Sequence, residues 1–179
     1  PRHSSSAASD VYKRQINMSN YTLVSGLWNI GREERNFQSH YVTKFKEFLK
    51  IDANMILFLP KELEELTWEI RSKDNTYIKI TELEDLKTNL YAPHWDKTQG
   101  IRNNPDWLNI TGEGGWLRDS PQANLEYYNP VVMSKMFMLS DASLYNVFNS
   151  EYFYWLDAGI TNTVPATHLI DNRALDKVV

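Results

Sequence analysis

The 179-residue sequence contains no cysteine, which excludes disulfides and thiolate metal sites and fits a reducing compartment. No segment approaches the run of about 18 apolar residues that a membrane helix needs, so no transmembrane segment is expected. The phosphate cradles of common nucleotide enzymes are missing: no G-x-G-x-x-G follows the first strand pattern, and no G-x-x-x-x-G-K-[ST] occurs. There is no G-x-S-x-G elbow, and the 4 histidines form no paired metal-binding spacing. Dehydrogenases, P-loop enzymes, α/β-hydrolases and zinc proteases are thereby disfavoured. Basic charge is also short, with 19 Lys and Arg against 23 Asp and Glu and a net charge of −4, which argues against a nucleic-acid partner.

Aromatic residues are plentiful, with 6 Trp and 10 Tyr, and that content argues for a packed core over a disordered chain. A chain of this size is expected to form one domain. Residues 1–17 are set apart from it as a non-native leader, because Pro1 to Gln15 is small-polar and basic without either secondary-structure period. The domain is then expected over 18–179, starting at Met18.

The strongest strand signals do not alternate polar with apolar residues; they are continuous apolar runs of the kind buried in parallel sheets. Thr22 to Trp28 reads as a strand, Asn54 to Leu59 as a second, buried one of this kind, and Thr76 to Ile80 as a third, alternating one. Between them Tyr41, Phe45, Phe48 and Leu49 fall on one helical face, Lys61 to Ser72 reads as an acidic amphipathic helix after Pro60, and Glu82 to Leu90 as a short helix. The succession of strand and helix patterns predicts an α/β fold with a mostly parallel sheet flanked by helices. From Tyr91 to Tyr127 periodicity disappears and an irregular cover is expected, carrying Trp95, Trp107 and Trp116. Asn129-Pro130 is expected to open a helix whose core face is Val132, Met136, Leu139 and Ser143, widened by Met133, Phe137 and Leu144.

The run Tyr152-Phe-Tyr-Trp-Leu-Asp157-Ala-Gly159 reads as a strand covered on both faces that delivers Asp157 to a ligand, since ligands of open α/β sheets bind beyond the strands' carboxyl ends. The plainer alternative makes Asp157 a turn opener, with Gly159 supplying a positive φ. Nucleotide-sugar chemistry suits the first reading. Opposite unit charges about 4 Å apart gain roughly 4 kcal/mol at an effective dielectric near 20, and like charges lose as much, so a carboxylate beside a diphosphate calls for Mn²⁺ or Mg²⁺ between them. Lys135 or Arg32 could share the phosphate charge. His168 is read as incidental, and Asp171 has no better standing as a base.

Three segments, Tyr21 to Arg32 (YTLVSGLWNIGR), Asn129 to Ser143 (NPVVMSKMFMLSDAS) and Tyr152 to Thr161 (YFYWLDAGIT), resemble the bacterial HtrL/YibB (WlaTC-like) family in order and spacing, from about Tyr21 to the neighbourhood of Val164. The resemblance implies a glycosyltransferase with a GT-A-like, Rossmann-like nucleotide-binding fold. It would move a sugar from a nucleotide-diphosphate donor to a bacterial surface-polysaccharide or lipopolysaccharide acceptor, a saccharide or lipid-linked saccharide. On that analogy Asn29 and Arg32 face the nucleotide, Lys135 the phosphates and Asp157 the metal, with Trp116 and Asn129 taken as substrate-binding. The expected location is cytoplasmic, with peripheral association at the inner membrane. Two departures stand out: Asp157-Ala-Gly replaces the usual Asp-x-Asp, and the chain reads as truncated at its C-terminus, leaving the catalytic base unnamed. The competing expectation is a carbohydrate-binding protein without catalysis, or an inactive fragment, with Trp95, Trp107 and Trp116 stacking on sugar rings.

Overall fold

Strand β1 (Tyr21–Gly26) lies at the centre of a four-stranded sheet in the computed structural model, which describes residues 20–88 and 91–170. The expected leader, residues 1–17, and Asp171 lie outside the described residues. From β1 the chain passes through helix α1, whose π-wound first turns Phe37–Val42 run into Thr43–Phe48, to β2 (Asn54–Leu59). Helix α2, Lys61–Leu63 continuing as Glu64–Ile70, leads to β3 (Thr76–Ile80). Short helices follow: α3 (Asp85–Thr88), α4 (Trp95–Arg102), α5 (Pro105–Leu108) and α6 (Pro121–Asn124). The long α7 (Tyr128–Tyr145) then returns the chain to β4 (Tyr152–Trp155), and α8 (Ala166–Ile170) comes last.

Every strand pair is parallel, in the order β3-β2-β1-β4, with Leu23 facing Met55 on one side and Tyr154 on the other. This is an α/β, Rossmann-like architecture. Strand alternation sends residues to two separate cores. Leu23, Met55, Leu57 and Leu59 pack with Phe45 and Phe48 of α1 and with Leu49 just after it, while Val24, Ile56 and Phe58 pack with Met138 and Ala142 of α7 and with Leu86. Each fully buried Leu, Ile or Phe contributes roughly 1.5–3 kcal/mol, and covering both faces explains the continuous apolar run Met55 to Leu59 in β2.

Other expectations are corrected. Strand β4 is an edge of the described sheet, bonded to β1 alone; Tyr152 is exposed and the next three residues are only half-buried, with Tyr154 packed against one core and Phe153 and Trp155 against the other. Its rings supply bulk that covers neighbouring elements from the edge. The irregular stretch contains α4, hidden in the sequence by Gly100 and the absence of an apolar stripe. Helix α7 begins at Tyr128, with Pro130 in the first turn, where the missing N–H costs nothing; Asn129 is inside the helix, its Nδ2 donating to the Gln122 carbonyl at 2.8 Å.

The face that α7 buries also differs from the expected one. Pro130, Ser134, Met138 and Ala142, a strict i, i+4 row, lie against the sheet, while Val132, Met133, Met136 and Leu144 are exposed. Phe137 and Leu139, expected on the core face, are half-buried against the same core, and small side chains at Ser134 and Ala142 let the helix axis approach the strands closely. At the far end Lys79 of β3 fastens α7, its Nζ donating to Asp141 at 2.8 Å and to the Tyr145 hydroxyl at 2.7 Å.

Candidate functional site

In the order β3-β2-β1-β4 the chain first winds to one side of β1 and then crosses to the other, so the topological switch point lies between β1 and β4, where Rossmann-like sheets open a crevice. A cavity of about 370 Å³ occupies that place. It is walled by Gly26 to Ile30 after β1, by Tyr128, Val131, Val132 and Lys135 on α7, and by Trp155 and Asp157 to Ile160 after β4. The volume falls within the range of small-molecule sites.

The β1 end is shaped by two glycines. A Cβ on Gly26 would run into the Trp28 ring and approach the Phe58 carbonyl, and the Trp28 indole is held there by donating to the Thr81 carbonyl at 2.8 Å. Gly26→Ala is therefore expected to destabilise the protein by about 1–3 kcal/mol, read as a lower urea midpoint with an unchanged m-value. Gly31, at φ +78°, lets the chain turn back so that its N–H donates to Asn29 Oδ1 at 3.1 Å. That turn swings Arg32 over the cavity. Arg32 donates to the Tyr41 hydroxyl at 3.0 Å, and its Nε is buried without a hydrogen-bond partner among the described residues.

Across the crevice, Trp155 and Asp157 sit two residues apart and so project to the same side, toward α7. Asp157 Oδ1 accepts from Lys135 Nζ at 2.6 Å and from the Trp155 indole at 2.7 Å, and the ammonium also lies 5.8 Å from the Trp155 ring centroid. Burial pushes the Asp157 carboxyl up, but the Lys135 and Trp155 hydrogen bonds outweigh it and hold the group below its ordinary range. The plainer turn reading fails in one respect, because Gly159 has φ −92° and supplies no positive φ. The Asp157 carbonyl does close a turn with the Ile160 N–H at 2.8 Å, leaving the carboxylate to face the cavity.

Four sequence-predicted residues, Asn29, Arg32, Lys135 and Asp157, thus line one cavity, although more than 100 positions separate the first from the last. Trp116 and Asn129 do not; they line a second cavity on the other side of the α7 N-terminal turns. Trp95 packs into the core beside Tyr127, with ring centroids 5.1 Å apart, and is not available for stacking on a ligand as Trp107 and Trp116 are. Arg35 also lines the first cavity and escapes sequence reasoning, since Arg-Glu-Glu-Arg after a strand reads as a solvated loop.

The lining carries three cations, Arg32, Arg35 and Lys135, against one carboxylate, in a chain of net charge −4. The positive end of the α7 dipole, at Tyr128, adds to that field. The arrangement suits an anionic ligand. A divalent cation fits it in one way only. Asp157 is 57% exposed at the side chain and its Oδ2 takes no hydrogen bond among the described residues, so one carboxylate oxygen is open. No group of three or more His, Cys, Asp or Glu exists among the described residues to cage an ion, so the remaining ligands would be the substrate's own phosphate oxygens and water.

Among the described residues no helix is long and apolar enough to cross a membrane. No curated protein and no solved structure matches the chain. A family model does: the one described as bacterial protein of unknown function (HtrL_YibB) covers residues 19–174, and the chain belongs to that family.

Proposed function

We propose that the protein is a glycosyltransferase with a GT-A-like domain that binds a nucleotide-diphosphate sugar in the switch-point crevice. The observation that carries this reading is the meeting of Arg32, Arg35 and Lys135 with the lone carboxylate of Asp157 beyond the carboxyl ends of β1 and β4. The wall from Leu27 to Ile30, with Leu27 and Trp28 buried, suits a nucleoside, and the cations suit a diphosphate. Lys135 is held 2.6 Å from Asp157 and needs only to swing from that carboxylate to reach a phosphate oxygen. With the arginines it would stabilise the charge that grows on the departing nucleoside diphosphate as the glycosidic bond breaks. Mn²⁺ or Mg²⁺ on Asp157 Oδ2 would supply Lewis acidity at the same phosphates. The acceptor on this reading is a bacterial surface saccharide or lipid-linked saccharide, and the work is done in the cytoplasm at the inner face of the membrane.

Calorimetric titration with UDP, using GDP and CMP as controls, with and without Mn²⁺, tests the donor site. Manganese-dependent UDP binding is expected, and Asp157→Ala should remove the manganese dependence. Absence of nucleotide binding by the folded protein would overturn the reading in favour of a carbohydrate-binding protein without catalysis.

A further inference from the structure

The second cavity, about 620 Å³, adjoins the first, and Val132 of α7 forms part of both walls. Its chemistry is different. Trp107, Trp116, Ile110 and Met133 make its surface largely apolar, and Trp116 and Ile110 are 67% and 73% exposed. Its charged lining residues are Lys97 and Arg102, with no Asp or Glu among them, although acidic residues outnumber basic ones in the whole chain. The exposed face of α7 runs out from it through Met133 to Met136. A sugar would leave most of this wall without a matching group, since sugars present hydroxyls that each ask for a partner. An apolar chain fills it, and the cations ask for an anion at its head.

From that combination we infer that the second cavity binds an anionic amphiphile, a prenyl- or acyl-chain phosphate, and presents the acceptor carried on it to the crevice across Val132. This deepens the transferase reading and rests on it for the acceptor role. The apolar walls would hold the chain, Lys97 and Arg102 the phosphate. Arg102 is already oriented, its Nη1 donating to the Ala123 carbonyl at 3.0 Å and its Nε to Gln99 at 2.8 Å.

The probe is farnesyl phosphate below its micelle concentration, titrated by tryptophan fluorescence and by calorimetry, with farnesol and inorganic phosphate as comparators. Farnesyl phosphate should bind at least about tenfold more tightly than either comparator, which is about 1.4 kcal/mol. Trp116→Ala should weaken it about tenfold, and Lys97→Gln should narrow its advantage over farnesol; both side chains are exposed, so neither change threatens the fold. Saturating UDP should not displace it. Binding no better than farnesol, displacement by UDP, or indifference to Trp116→Ala would each overturn the inference. Because the titration needs no nucleotide, a failure of UDP to bind would sink the donor reading and leave the amphiphile site standing, and the reverse result would do the opposite.

Discussion

Replacing Arg71 by methionine is expected to lower stability by about 3 kcal/mol or more, a fall of roughly 6–12 °C in Tm for a domain of this size. Arg71 follows α2 and is buried. Its guanidinium donates to the carbonyls of Leu49, Ile51, Ala53 and Asn75 at 3.2, 2.6, 2.5 and 3.3 Å, and its Nε donates to Thr76 Oγ1 at 2.8 Å. These groups belong to the end of α1, the approach to β2 and the start of β3. One side chain therefore fastens three segments at the amino ends of the strands, opposite the crevice. Burial pushes its pKa down, partly offset by Asp52, but a guanidinium in a protein keeps its charge. Methionine replaces the apolar stem but ends where Nε stands, and so leaves the carbonyls without the guanidinium donors in a place water does not reach. Lysine has three donors on one atom and cannot span carbonyls arranged around a planar fork, so Arg71→Lys should recover only part of the loss. Thermal unfolding followed by circular dichroism reads both variants; Tm values within about 2 °C of the parent would show that the network contributes little.

Nothing in the sequence marks Arg71, because an arginine after an acidic helix reads as one more solvated charge. Burial of a polar group is decided by which loops converge on it, and one sequence does not display that convergence. The central strands are legible for the opposite reason. Leu23, Ile56 and Phe58 are wholly buried, so the two-faced cover imposes an apolar run that survives any detail of packing. Helix α7 is legible as a helix and in part in its orientation: Phe137 and Leu139 pack toward the core as expected, whereas small Ser134 and Ala142 take places in the buried row and Val132, Met133, Met136 and Leu144 face outward. For the site, Asp157 can be found from an abrupt carboxylate after an aromatic run, whereas Arg32 and Lys135 enter as cations that could share phosphate charge and take separate roles only from the family resemblance. Their convergence depends on the strand order. The role of the Trp155 indole depends on a rotamer, which no pattern encodes.

Lys135→Met should weaken UDP binding by about tenfold to a hundredfold and shift the titration of Asp157 upward. The first effect is the loss of a charge-assisted contact to phosphate in a crevice with only two other cations among its lining residues. The second follows from the balance at Asp157. Burial alone would raise its pKa; Lys135 and, to a lesser degree, Trp155 bring it below the ordinary carboxylate range. Because the folded value lies below the unfolded one, the pairing contributes stability that is fully present above the ordinary range and is lost as pH falls through the lowered folded value. At neutral pH the pair is therefore intact, and only acid opens it. Without Lys135 the desolvation is opposed by the indole alone, so the midpoint should move up and the carboxylate should protonate in milder acid. The Trp155 indole N–H, 2.7 Å from Asp157 Oδ1, is a built-in reporter, and its proton and nitrogen shifts should follow the carboxyl through its titration. An unchanged indole midpoint in Lys135→Met would mean that the ammonium spends its time in solvent. Weaker UDP binding together with an upward midpoint would show one amine serving both groups, the carboxylate in the free protein and the phosphate in the complex.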